Sequence, residues 1–143
     1  MDSEERRFKM IDLLLDYSKG TLWWVHNRLW KEQFAGFVWK KNSDFHPGLS
    51  ICRRDVEGIY NTVPMLLGTS KRPQGRNVLS VSHMSPEWSP HHDRPGYFKV
   101  LRPCPLRLDY FGRKDTITQN VTKPRLESDE MRVLDKMLSG KEV

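Results

Sequence analysis

Residues 63–72 read Val63-Pro64-Met65-Leu66-Leu67-Gly68-Thr69-Ser70-Lys71-Arg72. An apolar run closed by glycine, hydroxyls and positive charge predicts a buried strand, Ile59 to Leu67, that ends in a turn. Upstream, Phe45-His46-Pro47-Gly48-Leu49-Ser50-Ile51 sets a His-Pro-Gly turn at the entrance to another strand, Leu49 to Arg54. Downstream, Val78 to His83 alternates (Val78, Ser80 and Ser82 against Leu79, Val81 and His83), which suits a strand. Tyr97 to Leu101 and Leu106 to Phe111 follow, separated by Pro103-Cys104-Pro105. Proline has no amide to give a ladder, so an edge or a bulge is expected there. Ile117 to Thr122 is a further strand. Many short strands with a terminal helix argue for a mainly β fold and a small barrel.

The flanks read as helices. In residues 3–18, Phe8, Ile11, Leu14 and Leu15 recur at helical spacing among charged residues, with Gly20 as the stop. Ser128 is expected to cap a second helix, Ser128 to Leu138. Asp129 and Glu130 lie in its first turn, Met131, Leu134, Met137 and Leu138 form its apolar stripe, and Gly140 ends it. Thr21 to Trp30 reads as a strand with Leu22, Trp24 and His26 on one face. Trp23, Trp24, Trp30 and Trp39 crowd one region and are expected in the core, with base stacking as a minority role. Met84 to Gly96 holds Pro86, Pro90 and Pro95 without periodicity and reads as a long loop, a kind of segment that often carries function.

The 143 residues suit a single domain, 1–143, divided into a helical extension (1–20) and a barrel with its terminal helix (21–140). Apolar residues make up 37% and charged residues 29%, a balance that separates the chain from disordered ones. No apolar run reaches the ~20 residues of a membrane helix. Met1 is followed by Asp2-Ser3-Glu4-Glu5, the wrong sign for a secretory leader, so a cytoplasmic protein is expected. Cys52 and Cys104 then read as reduced, packed thiols, and without a Cys-x-x-Cys spacing zinc and dithiol chemistry gain no support. Lys and Arg number 24 against 18 Asp and Glu, a net charge of +6. A basic domain attracts polyanions through their phosphates, but many soluble proteins carry such charge for solubility, so its placement decides.

That placement is suggestive at residues 71–76. Lys71, Arg72 and Arg76 put three positive charges in six residues directly after Thr69 and Ser70. A hydroxyl at a strand end can donate to a phosphate oxygen, although Gly-Thr-Ser is also ordinary turn chemistry. A histidine such as His46 can take or give a proton near neutral pH, although by residue type alone a turn histidine without a role is the plainer reading. These are the groups that metal-free RNA cleavage requires: one to remove the 2′-hydroxyl proton and fixed donors for the charge growing on phosphate. His83, His91, His92 and Asp93 match no closed metal-ligand spacing and read as loop residues, with His91 or His92 able to contact a substrate. No phosphate-cradling glycine loop and no carboxylate pair suited to two-metal or glycosidase chemistry is evident. No cofactor is expected.

Taken in order, the Pro-Gly strand entrance, the Thr/Ser strand exit and the closing Ile117-Thr118-Gln119-Asn120-Val121, Lys123-Pro124-Arg125-Leu126 and acidic-start helix resemble the MazF/PemK toxins of bacterial toxin–antitoxin pairs. The resemblance spans roughly Thr21 to Leu138 and rests on no strict fingerprint. It implies an SH3-like barrel of the PemK/CcdB type, usually a homodimer. The implied activity is a metal-independent endoribonuclease acting on single-stranded RNA, inhibited by a cognate antitoxin. Catalysis then falls to His46, Thr69 and Ser70, and RNA contact to Lys71, Arg72, Arg76, His91 and His92. The family usually carries a catalytic arginine where this chain has His46. Either histidine substitutes as acid or base, or the site is degraded, because it lacks the fixed charge and donor fork of arginine. Two other readings stand beside the enzyme: a non-catalytic RNA- or protein-binding barrel, and a gyrase poison like CcdB, which shares the fold.

Overall fold

A computed structural model of the chain describes residues 18–34, 36–37, 44–51, 62–84, 95–100, 103–113, 115–120 and 123–140. In chain order the elements are β1 (Leu22–His26), α1 (Asn27–Gln33), β2 (Phe45–Ser50), β3 (Thr62–Thr69), β4 (Val78–Val81), β5 (Gly96–Lys99), β6 (Cys104–Arg107), a 3-10 turn (Leu108–Tyr110), β7 (Ile117–Gln119) and α2 (Ser128–Leu138). The helix expected over residues 3–18 lies outside the described residues, apart from Ser18.

Seven antiparallel strands form one sheet in the order β4-β5-β3-β2-β1-β7, with β6 set against β3. Among the described residues β4 and β7 do not meet, so the mainly β expectation holds as an open sheet. The sheet forks at β3. On one side β3 pairs with β2; on the other, Thr62–Met65 pair with β6 and Gly68–Thr69 with β5.

Two prolines shape this fork. The Pro64 carbonyl accepts from the Ile51 amide at 3.2 Å, so the nitrogen of Pro64 also faces β2, where it has nothing to donate and the ladder stops. Pro105 stands opposite Pro64. Because Pro64 turns its polar groups away from β6, this is a non-hydrogen-bonded pair, and the nitrogen of Pro105 faces the open side of an edge strand. The expected edge is found, but the strand itself is displaced: it begins at Cys104, inside the expected break, and ends at Arg107, with Leu108–Tyr110 a 3-10 turn where strand was expected.

Both faces of the sheet carry a core layer. Trp23 and Val25 lie with Leu29, Trp30, Val63, Met65, Cys104, Leu106, Phe111 and Ile117 on one face. Leu22 and Trp24 lie with Leu49, Leu66, Leu79, Val81, Phe98, Leu134 and Met137 on the other. β1 is therefore a central strand buried on both sides, which is why its sequence is continuously apolar. The expected one-sided strand captures half of this. It also ends sooner: β1 stops at His26, whose side chain accepts from the Arg28 amide at 3.2 Å and caps α1. Trp30, expected in the strand, is a fully buried helix residue. Burial of a large apolar side chain contributes about 1.5–3 kcal/mol, so turning Leu29 and Trp30 onto the first layer outweighs the weak helix preference of the segment. Cys104 is buried in that layer, and desolvation pushes its thiol up to about 12.

The cap of α2 differs from expectation. Glu127, one residue earlier than Ser128, accepts from the third helical amide, and the Glu130 carboxylate accepts from the Glu127 amide at 2.9 Å. Leu134 and Met137 are buried as expected, while Leu138 is 40% exposed and outside the stripe. Gly140, at φ +78°, lets the chain leave the helix. The helix is pinned to β4 by Glu130, which accepts from the Ser82 amide at 3.0 Å and from Lys123 Nζ.

Candidate functional site at the β2–β3 strand ends

The register of β2 against β3 pairs Gly48 with Leu67, Leu49 with Leu66 and Ser50 with Met65. The ladder ends there; the same alignment carried further would set Pro47 across from Gly68 and His46 across from Thr69. Gly68 does pack closely on Pro47: a Cβ there would lie 2.6 Å from Pro47 Cγ and 2.7 Å from Phe98 Cε1. His46 pairs with Val25 on its other side, and Thr69 with Tyr97, which in turn pairs with Ser80. The pleat puts all of these on one face, as a row across the sheet. At the Val25 end the row is buried in the first core layer; at Tyr97 and Ser80 it faces outward. The opposite face of β4 and β5 is sealed by Leu79, Val81 and Phe98 against Leu134 and Met137. His46 and Thr69 thus sit where core passes into open sheet surface.

His46 is half-buried. Its Nδ1 lies 2.6 Å from Oδ1 of Asn27, a fully buried residue, and the Phe37 ring meets it edge-on at 5.3 Å. Burial lowers the affinity of the ring for a proton, so at pH 7 it is neutral. The Thr69 hydroxyl oxygen accepts from the Lys71 amide at 3.3 Å, which leaves its own proton to donate. Ser70 and Lys71 are exposed beside it, and the Arg72 guanidinium lies over the Tyr97 ring, 6.0 Å from its centre.

Thr69, Ser70, Lys71 and Arg72 are thus consecutive at the end of β3, and His46 stands on the neighbouring strand, two residues past the last β2–β3 pair. Arg76 lies further on. With Arg72, Gly75 and Asn77 it lines one bank of a groove of about 650 Å³ along β4, faced by Asp129, Val133 and Met137 of α2. His91 and His92 lie outside the described residues. Among the described residues no three His, Cys, Asp or Glu side chains converge as a metal site, and no helix is long and apolar enough to cross a membrane.

Asn27 and Tyr97 belong to this place although no motif marks them. Asn27 sits in a segment whose apolar run suggests continuous strand, and only the capping histidine before it marks the helix start. Tyr97 is reached only through the β3–β5 register. No protein-family model matches the chain, and no curated protein does.

Proposed function

We propose that the protein is a toxin-type, metal-independent endoribonuclease that cleaves single-stranded RNA. The reading is supported by one observation: His46 lies on β2, two residues beyond the Gly48–Leu67 pair that ends its ladder with β3, and β3 itself runs out at Thr69 into Ser70, Lys71 and Arg72. In this mechanism the neutral His46 ring takes the 2′-hydroxyl proton. The 2′ oxygen attacks phosphorus, the bond to the 5′ oxygen breaks, and the products are a 2′,3′-cyclic phosphate and a 5′-hydroxyl, the latter protonated from solvent. The Thr69 hydroxyl donates to a non-bridging oxygen. Lys71 and Arg72 offset the charge that grows there, the kind of fixed stabilisation that often dominates such barriers. Ser70 is the neighbouring hydroxyl, and Arg76 extends the phosphate track along β4. The resemblance to MazF/PemK toxins adds to the same proposal a homodimer, a cytoplasmic setting, a cognate antitoxin and a PemK-type SH3-like barrel, opened here into a forked sheet.

The test is cleavage of a long single-stranded RNA by purified protein in EDTA, with His46→Ala and Thr69→Ala alongside to exclude a contaminating nuclease. Cutting that survives chelation and is lost in both variants supports the enzyme. A folded wild-type protein that leaves RNA intact overturns it: bound but uncut RNA then indicates a binding module, and trapped DNA breaks with gyrase indicate a gyrase poison.

A further inference from the structure

The Asn27–His46 contact has a chemical direction. Asn27 is the first residue of α1 and has no exposed surface. Its backbone is tied down, its amide donating to the Asp44 carbonyl at 2.9 Å, one residue before β2. From there its side-chain oxygen meets His46 Nδ1 at 2.6 Å. An amide oxygen carries no proton and can only accept, so in the neutral ring the proton must sit on Nδ1 and the lone pair on Nε2.

We propose that Asn27 is a positioning residue that holds His46 as the Nδ1–H tautomer and so reserves Nε2 as the proton-accepting atom. The catalytic consequence rests on the ribonuclease reading; the tautomer does not. The choice of amide over carboxylate matters. An aspartate here would orient the ring equally well but would favour the imidazolium, which cannot act as a base. Asparagine orients without charging. The remaining surroundings agree. Val25 of β1, Phe37 after α1 and Thr69 of β3 are uncharged. Among the described residues, the titratable groups adjoining these elements are Asp44 one residue before β2, His26 paired with Phe45, and Lys71 two residues after Thr69. Among the described residues no ion pair includes His46.

The decisive measurement is a long-range ¹H–¹⁵N correlation spectrum of the full-length labelled protein above neutral pH, with His46→Gln to assign the ring. Expected is a His46 ring protonated on Nδ1 and bare on Nε2; an Nε2–H ring, or a fast mixture, overturns the proposal. Asn27→Asp keeps the acceptor and adds charge, so it should retain the Nδ1–H tautomer, raise the titration midpoint of His46 and move the acid limb of the cleavage profile upward by the same amount. An unchanged midpoint in that variant also overturns the proposal. Asn27→Leu, if it folds, should lose the tautomer preference and lower kcat about 100-fold, the scale of one acid–base group, at unchanged KM. An Nδ1–H ring in a protein that cuts no RNA sinks the ribonuclease reading alone. Undiminished cutting by Asn27→Leu with an Nε2–H ring sinks the positioning role alone.

Discussion

Lys123 and Glu130 together act as the missing neighbour strand for Ser82. The Glu130 carboxylate accepts from the Ser82 amide at 3.0 Å, Lys123 Nζ donates to the Ser82 carbonyl at 2.9 Å, and Nζ and the carboxylate lie 2.9 Å apart. Beyond Val81 the outer edge of the sheet is thus closed by one ion pair rather than by backbone, which blunts it against pairing with other chains.

Both side chains of that pair are nearly buried, at 10% and 8% exposure. Lys123→Met leaves a buried carboxylate without its counter-charge and should cost about 3–5 kcal/mol, read as a lower urea midpoint. Converting both to apolar residues often restores stability elsewhere. Here the double variant Lys123→Met/Glu130→Leu should stay below wild type, because the Ser82 amide and carbonyl and the Glu127 amide all lose a partner.

His46 makes stability depend on pH in a definite direction. Burial lowers its folded affinity for protons below the ordinary value of 6.5, so between the two midpoints the unfolded chain binds more protons than the folded one. Its contribution is complete above 6.5 and lost as pH falls through the folded midpoint. Urea melts from pH 7.5 to pH 5 should show a falling midpoint, and the slope should be shallower in His46→Gln.

Gly68 is a position where one methyl group should matter. A Cβ would strike Pro47 and Phe98, two rings with little room to bend. Gly68→Ala should therefore lose about 1–3 kcal/mol in thermal or urea melts. Because relief of the clash requires β2 and β3 to part beside His46 and Thr69, RNA cleavage should fall more than stability explains.

The basic turn is testable through salt. Each lysine or arginine that neutralises a phosphate on a single strand adds about 0.7 to the slope of log affinity against log salt. Lys71→Ala, Arg72→Ala and Arg76→Ala should each flatten that slope by about this amount in binding measurements on RNA. An unchanged slope would remove that residue from the interface.

Part of the strand content was legible from local cues, such as alternation over Val78–Val81 and an edge marked by prolines; other local cues misled, since His46-Pro47-Gly48, read as a turn before a strand from Leu49, lies inside β2, and Leu108–Tyr110, read as strand, is a 3-10 turn. What was not legible depended on long-range facts. Leu22 to Val25 does not say whether one face or both will be covered; that follows from β1 lying inside the sheet. Leu29 and Trp30 suit strand and helix alike until the histidine cap and the first core layer decide. Glu127 displaced Ser128 as cap because Glu130 answers it from the first turn. For the candidate site, Thr69 and its basic turn stood out, and His46 was visible as a residue type. Asn27 was not, since an asparagine becomes informative only beside the ring it orients.

The fork at β3 bears on how the fold comes apart. Two core layers on opposite faces could melt as separate units, but β1, β2 and β3 form the partition wall of both. Neither compartment can be emptied without removing a wall from the other, so disassembly should be a single cooperative event. The amide of Leu66, which faces β2 as Pro64 does, should exchange with solvent only when the whole molecule opens.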